Sequence, residues 1–308
     1  MSEKEKWTKN NITSLEGKTI IVTGGNSGLG YESVKAFVEN GADVIMTCRN
    51  IEKGKKAKEK LLHTCKDAKI TVMFLDLMDL NSVRNFASDF LKHNDQLHIL
   101  LNNAGILGVP YKLTIDGIES QQATNYFGHF ALTGLLSEVL YATPGSRVVN
   151  VSSLAHRMGN MNFNNLFYNK GNGYSPMKAY SRSKLENLLF TFELQRYFKK
   201  NNYPTIALAA HPGVSGTNIF NHIGGVIFVK TLRPVFNRLF QSPLKGALPQ
   251  IRASVDPLAD SGEYYGPNGK GEFRGYPVKV KTSDLARNEE TAAKLWKLSE
   301  EITGVKFK

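Results

Sequence analysis

A chain of 308 residues can bury a large core, and 41% hydrophobic with 21% charged residues is the make-up of a folded globular protein, which sets disorder aside. The formal charge of +12 would suit nucleic acid or an anionic membrane, but the lysines are scattered, and the densest group, Lys53 to Lys60, is interleaved with glutamates as on a solvated helix face. Two cysteines at no metal-binding spacing, a charged N-terminal stretch and apolar runs no longer than a strand argue against a metal centre, a disulfide framework, a signal peptide or a membrane span, and a cytoplasmic location is expected.

Residues 1–17 offer only Trp7, Ile12 and Leu15 to a core and are read as an arm on a single domain of residues 18–308. That domain opens with Thr19, Ile20, Ile21 and Val22, an uninterrupted β-branched run of the kind buried on both faces of a parallel sheet. Gly24, Gly28 and Gly30 follow, and then Tyr31, Val34, Phe37 and Val38 recur at helical spacing. Strand, glycine turn and helix in that order let a backbone approach a pyrophosphate while the free N–H groups of the new helix hold its charge. A tight turn with no ligand shares the local pattern.

A second strand at Ala42–Thr47, a lysine-rich helix and a third strand at Lys69–Leu75 establish a βαβαβ rhythm, which predicts an α/β fold with a doubly wound parallel sheet of about seven strands. Such sheets bind ligands outside the carboxyl ends of their strands, so the residues just after each strand become candidates. After the second strand comes Arg49, where an acidic residue would select NAD; an arginine accommodates a 2′-phosphate, so NADP(H) is favoured over NAD(H). An exposed arginine opening the next helix is the alternative. Asp76, after the third strand, is placed either to accept a hydrogen bond from an adenine amino group or to cap the neighbouring helix.

The fourth strand, Leu97–Leu101, runs into Asn102, Asn103, Ala104 and Gly105, small enough for a flat nicotinamide ribose to lie against backbone. A long helix predicted from Ile115 to Tyr141 carries Asn125, and a fifth strand, Ser146–Val151, delivers Ser152 and Ser153. A loop rich in asparagine and glycine then leads to a helix opening at Ala179, where Tyr180 and Lys184, four apart, share a face. An ammonium beside a phenol favours phenolate and is expected to lower its pKa from about 10.

TGGNSGLG, NNAG at 102–105, Asn125, the VSS ending at Ser153, YxxxK at Tyr180 and Lys184, and Pro212-Gly213 with Thr217 together resemble the short-chain dehydrogenase/reductase family over residues 18 to about 220. VVNVSSLAHRMG, YSRSKLENLLFTFEL and HPGVSGTNI resemble its retinol dehydrogenase-like branch. The resemblance implies a Rossmann fold and hydride transfer between NADP(H) and an apolar aldehyde, ketone or alcohol. It implies Tyr180 as general acid or base, Lys184 as the group that lowers its pKa and binds the nicotinamide ribose, Ser153 as a hydrogen-bond partner of the substrate oxygen, and Asn125 as the anchor of a water reaching Lys184. Cofactor contacts would come from Gly24, Asn26, Ser27, Gly28, Leu29, Gly30, Arg49, Asp76, Leu77, Asn103, Ala104, Gly105, Tyr180, Lys184, Pro212, Gly213, Val214 and Thr217. Two departures stand out. Ser27 occupies the place where many NADP-selective members add a basic residue, and 27 positions separate Ser153 from Tyr180, about twice the usual interval. The extra loop, with Phe163, Phe167 and Tyr168, either shapes the substrate mouth or simply packs.

Residues 215–245 are apolar with intermittent His222, Lys230, Arg233 and Arg238; by resemblance they form a variable substrate lid, and a membrane-surface helix is the alternative. A helix from Pro243, a final edge strand beginning in Glu263–Gly266 and a closing amphipathic helix at Asn288–Thr303 with Leu295, Trp296 and Leu298 either pack or form a homodimer interface. His211 is read as structural. A cofactor-binding regulator or scaffold without turnover is the competing function, and isomerase or epimerase chemistry is disfavoured because the glycine motif is not of the extended type.

Overall fold

Along the first strand, β1 (Thr19–Thr23), Ile20 and Val22 face one side of a sheet and Ile21 the other, and all three are fully buried in the computed structural model, which describes residues 6–214 and 241–308. β2 (Asp43–Cys48) repeats the division, with Val44 and Met46 on one side and Ile45 on the other. The remaining strands are β3 (Lys69–Phe74), β4 (Ile99–Asn102), β5 (Arg147–Val151), β6 (Ile206–Ala210), β7 (Tyr264–Pro267) and β8 (Pro277–Lys279). They form one sheet in the order β3-β2-β1-β4-β5-β6-β7-β8, parallel through β7 and antiparallel at β8. The doubly wound reading of the sequence therefore holds, with one correction. β7 is not an edge strand, because the short β8 pairs with it and takes the edge, giving eight strands among the described residues.

Helices cover both faces, as the two-sided burial of the strands requires. In chain order they are α1 (Gly28–Val38), α2 (Ile51–Thr64), α3 (Leu80–His93), α4 (Ser120–Gln122), α5 (Gly128–Leu135), α6 (Ser137–Ala142), α7 (Pro176–Lys200), α8 (Pro243–Val255) and α9 (Glu289–Thr303). Apolar residues of α1, α2 and α8 join Ile20, Val22 and Val44 in one cluster, and those of α3, α5, α7 and α9 join Ile21, Ile45 and Leu100 in the other. Trp7, Ile12 and Leu15 of the first segment are buried in the first cluster, and the Arg252 guanidinium sits 5.9 Å from the centre of the Trp7 ring.

Two features could not be read from periodicity. The helix predicted from Ile115 to Tyr141 begins only at Ser120, since Leu113 and Glu119 close a tight turn that leaves Ile115 exposed. It then winds as a π-turn over Ala123–Phe127 before resuming as α5. Such turns insert an extra residue and tend to mark functional sites. The closing helix α9 and the residues after it pack within the chain: the rings of Trp296 in α9 and of Phe307 beyond it have centres 5.4 and 5.2 Å from that of Phe130 in α5, and the Tyr126 hydroxyl pairs with Ser299 Oγ at 2.7 Å. No helix among the described residues is long and apolar enough to cross a membrane.

Candidate functional site

The strand order reverses between β1 and β4, and at their carboxyl ends a cleft of about 450 Å³ opens, the place where doubly wound sheets take ligands. Gly24 and Gly28 have φ of +64° and +56°, the left-handed region that favours glycine. A Cβ on Gly24 would lie 3.1 Å from the Cβ of Ala104, so the glycine turn and the Asn102–Gly105 turn abut. Gly30 serves packing instead: a Cβ there would collide with the Gly24 carbonyl. Ser27 is the N-cap of α1, yet its hydroxyl makes no capping bond, leaving the first-turn N–H groups without a side-chain acceptor. Asn26, Ser27 and Leu29 line the cleft beside them, with Arg49, Lys53 and Leu77 further along and no carboxylate among the described lining residues. An uncapped helix end in a glycine cradle fits the pyrophosphate of a nicotinamide dinucleotide.

The Asn102–Gly105 turn is held from below. Thr23 Oγ1 accepts the N–H groups of Asn103 and Ala104, both at 2.9 Å. The Asn103 side chain is used by the fold, donating to the Thr23 carbonyl at 2.7 Å and accepting from Gln250 at 3.0 Å, so this residue meets the cleft mainly through its backbone.

Just beyond Gly105 the other predicted residues converge. A Cβ on Gly105 would lie 3.2 Å from Asn125 Oδ1 and 3.4 Å from Lys184 Nζ. Asn125, in the π-turn, accepts the Ile106 N–H at 2.8 Å and donates to the Ile106 carbonyl at 3.0 Å and to Ser183 Oγ at 2.9 Å. Ser183 in turn donates to the Tyr180 carbonyl at 2.8 Å. Ser175 caps α7 and Pro176 fills its first turn, which sets the register placing Tyr180 and Lys184 against the end of β5. Lys184 Nζ donates to the Val151 carbonyl at 2.9 Å and stands 5.7 Å from the centre of the Tyr180 ring.

The electrostatics correct one expectation. Burial raises the pKa of the Tyr180 phenol, and the influence pulling it down is a hydrogen bond with Ser153, not the ammonium. Burial also drives Lys184 down to about 7, toward the neutral amine. Ser153 is itself fixed: His156 Nδ1–H donates to its carbonyl at 2.6 Å, and the Ser283 N–H donates to His156 Nε2 at 3.2 Å.

Pro212, Gly213 and Val214 follow β6 at the same end of the sheet. The Val214 N–H donates to the Phe273 carbonyl at 2.8 Å, and Gln241 donates to the Pro212 carbonyl. His211 accepts from the Gly213 N–H and pairs with Glu272 at 3.0 Å, the structural part expected of it. Thr217 and residues 215–240 of the expected lid lie outside the described residues. Asp76 is absent from the cleft lining, and its Oδ1 accepts the Met78 N–H at 3.0 Å; the short side chain is drawn into its own turn, whereas Leu75 and Leu77 beside it do line the cleft.

The family described as short chain dehydrogenase matches residues 18–224, which include the glycine turn, Asn125, Ser153, Tyr180 and Lys184. The chain belongs to the short-chain dehydrogenase family. It is 37% identical to human retinol dehydrogenase 11, over 94% of this chain and 87% of that protein, and 36% identical to human retinol dehydrogenase 13, over 95% and 86%. A solved structure of an uncharacterised protein from Mycobacterium paratuberculosis matches with a TM-score of 0.82 at 38% identity, covering 99% of this chain and 100% of that one. The structure of Pseudomonas aeruginosa RhlG with NADP, 20% identical over 82% of this chain and 94% of that one, shares the fold with a TM-score of 0.64.

Sequence reasoning about this short-chain dehydrogenase missed several residues. Lys53 was read as part of a solvated face, and most of that face is exposed, but one turn into α2 it reaches the cleft beside Arg49. Arg182 lies between Tyr180 and Lys184 in sequence yet serves the long loop, donating to the carbonyls of Asn160, Asn165 and Leu166 and stacking 4.4 Å from the centre of the Tyr168 ring. Tyr168 holds a left-handed φ of 54°, unusual for a bulky residue, so the loop aromatics belong to an organised wall. Its Tyr174 hydroxyl donates to the Val109 carbonyl at 2.7 Å, three residues past the cleft-lining Ile106.

Glu186, two residues after Lys184, is buried and accepts from Gln122 at 2.7 Å; burial lifts its pKa to about 8. A carboxyl raised in the folded state contributes stability that is complete below its ordinary value of 4.5, erodes as pH rises and is gone above about 8. Glu186→Gln removes that titration, so the Tm of the variant relative to wild type is expected to increase between pH 5 and pH 8.5, as read by calorimetry. A constant difference would show that Glu186 titrates normally.

Proposed function

We propose that this short-chain dehydrogenase transfers hydride between NADP(H) and an apolar aldehyde, ketone or alcohol, and that it works as a reductase with Tyr180 as the general acid. The observation that carries the proposal is the convergence of Ser153, Tyr180, Lys184 and Asn125 beyond Gly105, at the end of a glycine cradle whose far end bears Arg49 and Lys53. When bound, the nicotinamide supplies the hydride, and the protein contributes position and electrostatics. The Ser153 hydroxyl, within hydrogen-bond reach of the phenol, orients a substrate oxygen beside it. Tyr180, kept protonated by burial, is ready to give its proton to an oxygen that gains negative charge. Lys184, brought by burial to about 7 and 5.7 Å from the centre of the phenol ring, can give up a proton near neutral pH and so restore the one Tyr180 loses.

Arg49 and Lys53, with no acidic residue among the described lining residues, support a phosphate on the adenosine ribose and hence the phosphorylated cofactor. The retinol dehydrogenase relatives and the aromatic wall of residues 163–174 support an apolar substrate. Purified protein is expected to oxidise NADPH with at least one member of a panel of aldehydes, ketones, quinones and retinoids, and to do so faster than NADH run in parallel. Tight NADPH binding with no turnover across the panel would instead support a cofactor-binding regulator.

A further inference from the structure

His129 is buried in the first turn of α5, and both of its ring nitrogens are in use. Nδ1 lies 3.1 Å from the Asn125 carbonyl, which can only accept, so Nδ1 carries the proton. Nε2 lies 2.8 Å from the Thr23 hydroxyl. That hydroxyl oxygen already accepts two N–H groups, from Asn103 and Ala104, so it meets Nε2 as a donor, and of the two acceptors within reach of its single hydrogen the unprotonated Nε2 is nearer than the Leu101 carbonyl at 3.3 Å. One tautomer satisfies every partner. A charged imidazolium would press a third N–H on the hydroxyl oxygen and turn its hydrogen to the Leu101 carbonyl.

The consequence is geometric. Asn125 faces Gly105 from one wall, and the Asn102–Gly105 turn forms the other. The side chain of Asn125 sets its distance from Ile106, and His129 ties its carbonyl, through Thr23, to the N–H groups that shape the turn. A parallel device recurs at Ser153, whose carbonyl takes the Nδ1–H of His156. We propose that His129 is a positioning residue, a neutral Nδ1–H imidazole that holds Asn125 in register with the Asn102–Gly105 turn at the reacting end of the cleft. The reacting end is that of the function proposed above, and the inference rests on that reading for its effect on rate.

Burial, reinforced by the nearby Lys184 ammonium, drives the His129 pKa down to about 3, which keeps the ring neutral across the working range. The first test needs no turnover. Long-range ¹H–¹⁵N spectra of the full chain should give for His129 a neutral Nδ1–H pattern unchanged from pH 5 to pH 9; an Nε2–H pattern, or titration near the ordinary histidine value, would overturn the proposal. The second test reads rate per folded molecule. His129→Leu is expected to lower kcat about tenfold or more with less than about threefold change in KM for the carbonyl, because misplacement acts on the reacting geometry. His129→Asn, whose amide nitrogen falls where Nδ1 was, is expected to recover most of that loss. Equal rates for wild type and His129→Leu, or equal losses for the Leu and Asn variants, would overturn the proposal. A chain that turns over no substrate but keeps the neutral Nδ1–H ring contradicts the proposed activity, not the tautomer.

Discussion

Tyr180→Phe is expected to lower kcat for carbonyl reduction about 10³-fold, the scale by which a positioned acid accelerates proton transfer. The substitution removes only the hydroxyl. The ring lies in the second turn of a helix that is buried along most of its length, and phenylalanine refills the same space, so Tm should move by no more than a few degrees. Cofactor affinity should stay within about threefold, because the cradle at the glycine turn is built from other residues. Stopped-flow or steady-state rates measured beside a fluorescence titration with NADPH separate the two effects. Full activity in the phenylalanine variant would remove Tyr180 as the acid, whatever its position.

Arg49→Asp is expected to weaken NADPH binding about a hundredfold, since a charge-assisted hydrogen bond is worth about 1.5–3 kcal/mol and the new carboxylate repels a phosphate. The fold should not respond. Among the described residues the Arg49 guanidinium meets only Met78 Sδ, at 3.6 Å, and the residue is exposed. NADH lacks the phosphate and offers a diol that an aspartate can hold, so its affinity should rise and the NADPH-to-NADH ratio invert. Lys53→Ala should give a weaker loss, about tenfold, confined to NADPH. An unchanged ratio in the Arg49 variant would remove the basis for preferring the phosphorylated cofactor.

What could be read in advance was local. Ile20, Ile21 and Val22 declare a two-sided strand because each neighbour decides its own face, and Gly24 and Gly28 declare a turn because few other residues accept that backbone. Tyr180 and Lys184 could be paired because helical spacing alone puts them on one face. What escaped depends on segments distant in sequence. No spacing reveals that His129 would meet Thr23, 106 positions earlier, or that Arg182 would leave its neighbours and clasp the loop before it. The π-turn at Asn125 requires packing against Ile106 and Ser183 to appear. The bond from the Met78 N–H to Asp76 Oδ1 is local, but a carboxylate after a strand has more than one short-range use and the sequence does not choose among them. The depth of burial of Tyr180 and Lys184, which raises the phenol's pKa and lowers the amine's, could not be read from their spacing.

The placement of the two tryptophans gives the molecule a built-in pair of optical reporters. Trp7 lies in the layer of α1, α2 and α8, and Trp296 stands among Phe130, Phe190 and Phe307 in the opposite layer, against α5 and α7. Each tryptophan therefore reports on its own side of the sheet, and single-tryptophan versions would tell, during a denaturant titration, whether the layer of α1 and α8 or the layer of α5 and α7 loosens first.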